Sequence, residues 1–277
     1  MNRYRFTTEQ MLEVYRGHPL SKDRLLARVG RTTGIVERDL AYDPITEVTD
    51  QNHIGTAAFV LKLADRSRVT SADRVLDLGC GIGGPARLLS SELGCRVHGI
   101  DANVERVNDA RHLSAITGLT ESTSFEAGDF MRFRFNPEYT IVWGQNSWIH
   151  VFDRAALATL ALSALVPGGR IAFDDVCLRR DLSGDSEREA YDEISLAWRS
   201  SIVPVTDWCD AFSQAGAEVE LVEEDSEPYV SHYVKLTELA RARPDDYPPH
   251  EIRGWECART LGESGTFGFY RIVARRP

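Results

Sequence analysis

Gly79, Gly81 and Gly84 stand at G-x-G-x-x-G spacing inside RVLDLGCGIGGPARLL, and Asp101 ends the next apolar run, RVHGID. Glycines at that spacing allow a tight turn and the close approach of a ligand to the backbone. The helix that follows offers free N–H groups and positive potential to an anion. A carboxylate such as Asp101 accepts hydrogen bonds from two ribose hydroxyls. Asp77, two residues before the first glycine, narrows the ligand. A carboxylate at the end of a buried strand is costly without a partner. The pyrophosphate of a nicotinamide or flavin dinucleotide brings it a like charge. S-adenosylmethionine brings an ammonium group and a sulfonium instead. Either Asp77 pairs with that amino end, directly or through water, or it caps the turn.

A second set of residues suits proton or substrate handling. His150 follows the apolar run EYTIVWGQ and titrates near neutral pH, so it is the candidate base; the alternative is a histidine that packs the next helix. Trp148, Trp198, Tyr229 and Tyr233 either wall a pocket, where their faces would suit a methylated ammonium, or belong to the core. His53 either contacts cofactor or substrate or stabilises a turn. Asp174 and Asp175 are adjacent acids with no identifiable third ligand, so no metal is expected; a substrate-polarising or capping role is.

The elements that must position these residues alternate. Strands are expected at RVLDLG, RVHGID, STSFEAGD, EYTIVWGQ, GGRIAFDD, AEVELVEE and TFGFYRIVARR. Helices are expected over 83–93, 103–117, 186–199 and 206–216, and one capped by Asp153 carries Leu157, Leu160, Ala161, Ala164 and Leu165 at helical spacing. This rhythm implies an α/β fold: a Rossmann-like, seven-stranded, mostly parallel sheet with helices on both faces. The last two strands are expected to pair antiparallel as a hairpin-like edge. Residues 1–70 read as a helical cap of the same domain, with a capping box at Thr7 and Gln10 and a break at Pro19–Ser21. Residues 71–277 form the core, with lid segments at about 177–207 and 228–265.

VLDLGCGIGG, GID, AGDF, QNSWIHV and LVPGGRIAFDD occur in the order seen in class I S-adenosylmethionine-dependent methyltransferases. The chain resembles the small-molecule branch that includes sarcosine/dimethylglycine and phosphoethanolamine N-methyltransferases and natural-product methyltransferases. The resemblance implies S-adenosyl-L-methionine as cofactor and methyl transfer to an amine, hydroxyl or carbon of a small molecule. It implies that Gly79 and Gly81 line the methionine part, Asp101 holds the ribose and Ala102 lies beside the adenine. Asp129 would bond the adenine amino group, Phe130 flank its ring, and Gln145 face the cofactor near the substrate mouth. The position of His150 resembles a catalytic-dyad histidine of the phosphoethanolamine enzymes. A protein of this fold that binds the cofactor but catalyses another reaction, such as cyclisation, is the alternative.

Composition bounds the partners. A formal charge of −10 opposes phosphate backbones, so no nucleic acid is expected. No run reaches the roughly 18 apolar residues of a membrane span, and MNRYRFTTEQML lacks the apolar core of a secretory signal. Five cysteines without metal-ligand spacing fit reduced thiols, and a cytoplasmic location follows. The cap or an exposed edge would support a homodimer.

Overall fold

The computed structural model describes residues 5–15, 21–42, 49–51 and 56–277. Its seven strands are β1 (Arg74–Leu78), β2 (Arg96–Asp101), β3 (Thr123–Ala127), β4 (Tyr139–Gln145), β5 (Leu165–Leu178), β6 (Glu218–Glu224) and β7 (Phe267–Arg275). They form one sheet in the order β3-β2-β1-β4-β5-β7-β6. Val75, Leu76 and Leu78 of β1 are all buried, which is why its sequence runs apolar on successive residues. β1 lies between β2 and β4, and the chain leaves it in opposite directions across the sheet. The crevice for a ligand therefore opens at the carboxyl ends of β1 and β4.

The last two strands pair antiparallel at the edge, as expected, and the sheet differs from expectation in two details. β7 inserts between β5 and β6 and runs antiparallel to both, so β6 and β7 pair without a tight hairpin. β5 begins at Leu165 and continues through Pro167-Gly168-Gly169, and the register jump from Tyr139↔Leu165 to Ile141↔Arg170 absorbs those residues.

Helices cover both faces. On one side lie α4 (Thr56–Ser67), α5 (Gly84–Leu93) and α6 (Val104–Ile116), whose Val60, Leu63, Leu89 and Val107 pack on Val75, Val97 and Trp143. On the other lie α7 (Arg154–Ala164) and α9 (Val205–Gln214), packing Leu157, Trp208 and Phe212 on Leu76, Val142 and Phe173. The insert between β6 and β7 is helical: α10 (Ser226–Ala242) and α11 (Pro249–Glu263) pack with α8 (Gly184–Trp198) over the start of β7.

The amino-terminal part contributes α1 (Thr8–Val14), α2 (Lys22–Val29) and α3 (Glu37–Ala41). Thr7 and Gln10 form the expected capping box, and Ser21 caps α2. A buried clamp joins this part to α5. Arg87 Nε donates to Glu37 Oε2 at 2.8 Å, Nη1 to the Ile82 carbonyl at 2.7 Å, and Nη2 to Asp50 Oδ2. The Asp50 carbonyl sits so close to Gly84 that a Cβ there would be 2.2 Å from it, so only glycine fits.

Candidate active site

The carboxyl ends of β1, β2 and β4, roofed by α1, enclose a cavity of about 360 Å³, the size of one small molecule. The glycine turn forms its floor. Gly79 has φ +91°, and a Cβ there would lie 2.6 Å from Ser147 Cβ. Both restrictions require glycine. Asp101 holds the turn in shape: its Oδ2 accepts from the Gly81 amide and its Oδ1 from the Asn103 amide, each at 2.8 Å. Each oxygen keeps a lone pair for a ligand hydroxyl. Ala102 lines the same wall.

Asp77 lies behind the turn. Its carboxylate is buried, and Oδ2 has no hydrogen-bond partner among the described residues. Burial, helped by the charge of Asp101, pushes its pKa from 3.8 up to about 8. Gln145 ends β4 and lines the cavity; its Nε2 donates to Asp174 Oδ2 at 3.1 Å, while its buried Oε1 is unmet among the described residues. Asp77 Oδ2 and Gln145 Oε1 are thus two buried oxygens left without a partner among the described residues, and both could accept from a ligand N–H once Asp77 is ionised.

Asp129 and Phe130 form another stretch of wall. Asp129 caps the short helical turn Phe130–Arg132, its Oδ1 accepting from the Met131 amide at 3.1 Å. Its Oδ2 accepts from the Thr8 hydroxyl of α1 at 3.0 Å.

His150 ends a second short turn, Trp148–His150, and also lines the cavity. Its Nδ1 lies 3.3 Å from the Arg199 carbonyl, which can only accept, so Nδ1 carries the proton. Nε2 then presents a lone pair and accepts from the Tyr15 hydroxyl at 2.9 Å. Burial lowers the His150 pKa and pushes that of Tyr15 up to about 12, so the pair is neutral. The Arg106 guanidinium lies 4.6 Å from the centre of the Tyr15 ring. Of the two adjacent acids, Asp175 takes the capping part: its Oδ2 accepts from the Ile149 amide at 3.2 Å and steadies the turn that carries His150.

Two residues singled out as substrate contacts do not line the cavity. Trp148 is fully buried, stacks on Phe173 at 4.9 Å and donates through Nε1 to the Leu78 carbonyl, bracing the end of β1. Tyr229 is fully buried beneath Tyr233 and donates to the Ala258 carbonyl, packing α10 on α11. Large aromatic surface drives both inward. His53 lies outside the described residues.

Residues 75–169 match the family model described as Methyltransferase domain. A sterol 24-C-methyltransferase from Eremothecium gossypii is 31% identical over 222 residues, 77% of this chain and 55% of that protein. The chain thus spans about half the length of that relative. The 27-O-demethylrifamycin SV methyltransferase of Amycolatopsis mediterranei is 26% identical over 78% of this chain and 82% of its own. Among solved structures, geranyl diphosphate C-methyltransferase from Streptomyces coelicolor A3(2) superposes with a TM-score of 0.73 at 18% identity, covering 98% of this chain and 99% of that one. The chain carries a methyltransferase domain in a class I methyltransferase fold.

Class I methyltransferases use S-adenosylmethionine, and the residues present fit it. The unmet Asp77 and Gln145 oxygens suit an ammonium group, the Gly79–Gly81 backbone leaves room for a close ligand, and Asp101 keeps acceptor capacity for a ribose. The methyltransferase cavity also holds three residues that sequence reasoning passed over: Thr8, Tyr15 and Arg106. A signal for the first two exists. Thr8, Met11, Leu12 and Tyr15 recur at i, i+3, i+4 and i+7 after the capping box, and all four line the cavity. Arg106 carries no such mark.

Proposed function

We propose that this chain transfers a methyl group from S-adenosylmethionine to a small-molecule acceptor. The observation that carries the reading is one cavity holding both the glycine turn with Asp101 and the neutral Tyr15–His150 pair. Asp101 holds the ribose, the Gly79–Gly81 turn lines the methionine part, and Asp77 and Gln145 face its ammonium. Asp129 takes the adenine amino group, with Phe130 and Ala102 beside the ring. When bound, the cofactor supplies an electrophilic methyl carbon on a sulfonium.

The chain's own part is to orient the acceptor and to receive its proton. Tyr15 passes its own proton to the His150 Nε2 lone pair and takes the acceptor's in turn, which leaves His150 as the final base. Met11, Leu12 and Phe152 line the cavity with apolar surface and keep water from the acceptor. Likeness to the rifamycin enzyme supports a hydroxyl of a secondary metabolite as the methyl acceptor; an amine or carbon acceptor uses the same site. The net charge of −10 supports a small acceptor over a nucleic acid, and five free thiols support a cytoplasmic setting.

The test is S-adenosylhomocysteine release by the purified protein across amines, phenols and aliphatic hydroxyls, with product masses recorded. A product heavier by one methyl supports the reading. A converted substrate of unchanged mass refutes methyl transfer in favour of a rearrangement such as cyclisation.

A further inference from the structure

Thr8 stands on the first turn of α1, far in sequence from the cofactor motifs, yet its hydroxyl reaches a residue assigned to the cofactor. Oγ1 donates to Asp129 Oδ2 at 3.0 Å. The Met131 amide holds Oδ1, and Arg132 Nε lies 3.5 Å from Oδ2 with its own side chain 84% exposed. Among the described residues, the two firm restraints on the Asp129 carboxylate therefore come from its own turn and from the amino-terminal helix. They fix the plane of the carboxylate and leave one lone pair on each oxygen, so the group meets a ligand only as an acceptor. A freely rotating carboxylate would have to be ordered at the moment of binding; this one is ordered beforehand.

The same helix closes over the cavity. Thr8, Met11, Leu12 and Tyr15 share one face, and all line it. Phe6 packs edge-on against Phe152 at 5.9 Å, and the Arg199 guanidinium lies 5.2 Å from the Phe6 ring. Two turns of helix thus join the Thr8–Asp129 bond at one end to the Tyr15–His150 bond at the other.

We propose that Thr8 is a positioning residue for the cofactor, which makes the amino-terminal helix part of the nucleoside site by orienting Asp129 for the exocyclic amino group of the adenine. The inference rests on the cofactor reading above and adds to it a residue outside the glycine-turn core.

A double-mutant cycle read by calorimetric binding of S-adenosylhomocysteine tests it, with Thr8→Val, Thr8→Ser, Asp129→Ala and the Thr8→Val/Asp129→Ala pair. Loss of one hydrogen bond to a charged group that is partly exposed predicts roughly three- to tenfold weaker binding by Thr8→Val. Thr8→Ser keeps the hydroxyl and restores wild-type affinity. In the Asp129→Ala background Thr8→Val changes nothing further, because its partner is gone. Additive losses overturn the proposal, since they mean that Thr8 supports the helix rather than Asp129; so does a Thr8→Val protein that binds as wild type. Wild-type protein that does not bind S-adenosylhomocysteine refutes the cofactor reading itself, and this inference falls with it.

Discussion

Replacing Asp77 with Asn separates the cost of a buried acid from its use. The folded chain holds the Asp77 proton up to about pH 8, whereas the unfolded chain releases it near 3.8. Between those values the unfolded state binds fewer protons, so stability falls as pH rises through that window. From 3.8 to neutral pH is roughly three units at about 1.4 kcal/mol each, which makes the penalty about 4 kcal/mol at pH 7. Asn has the same shape and no charge, but leaves an amide with unmet polar atoms at a cost of roughly 1–3 kcal/mol. The ligand-free Asp77→Asn protein should therefore be more stable than wild type at pH 7 by about 1–3 kcal/mol. Its advantage should shrink as pH falls and reverse near pH 4, where the acid no longer costs anything and the unmet amide still does. Binding should move the other way. An ammonium beside Asp77 favours the ionised carboxylate, so wild type should release a proton on binding S-adenosylhomocysteine, and affinity should rise with pH up to about 8. Asp77→Asn should bind more weakly and lose that slope. Urea unfolding between pH 4 and 9, paired with calorimetry, measures both. An Asp77→Asn protein less stable than wild type at pH 7, or one that binds S-adenosylhomocysteine equally well, would refute the reasoning.

Asp101→Ala removes both the proposed ribose partner and the acceptor that shapes the Gly81 turn, so calorimetry should show S-adenosylhomocysteine affinity lower by at least about tenfold. His150→Ala should cut turnover by roughly a hundredfold while leaving that affinity near wild type; because burial lowers its pKa, the acid limb of wild-type turnover should lie below 6.5. An unchanged rate, or an acid limb above that value, counts against the base. Gly79→Ala places a Cβ 2.6 Å from Ser147 at φ +91°, so it should disturb the turn and lower cofactor affinity, and Ser147→Gly should recover only the steric part.

The fold was legible because most of its elements are dictated locally. The β1 run, the glycine turn and the capped α5 each follow from residues within a few positions of one another, and a parallel sheet follows from their alternation. That Asp101 and Asp129 line one crevice was legible for the same reason, since both stand at strand ends on the carboxyl edge of such a sheet; Asp77 stands behind the turn and does not line the cavity. Which aromatic side chains face that crevice was not. Trp148 sits two residues from His150, yet packs inward on Phe173 while His150 faces the cavity, because a short helical turn sends neighbours to different sides.

What the sequence by itself determined, then, is the chemistry of the floor: the glycines, the acids and the strand ends that display them. Tertiary structure alone decided the roof. Tyr15 meets His150 across 135 positions and Thr8 meets Asp129 across 121. Those contacts arise from how α1 docks on the sheet edge, and the Arg87 clamp ties the neighbouring α3 and Asp50 to α5. Local patterning sets which face of a helix is buried; only the packed whole sets what that face meets.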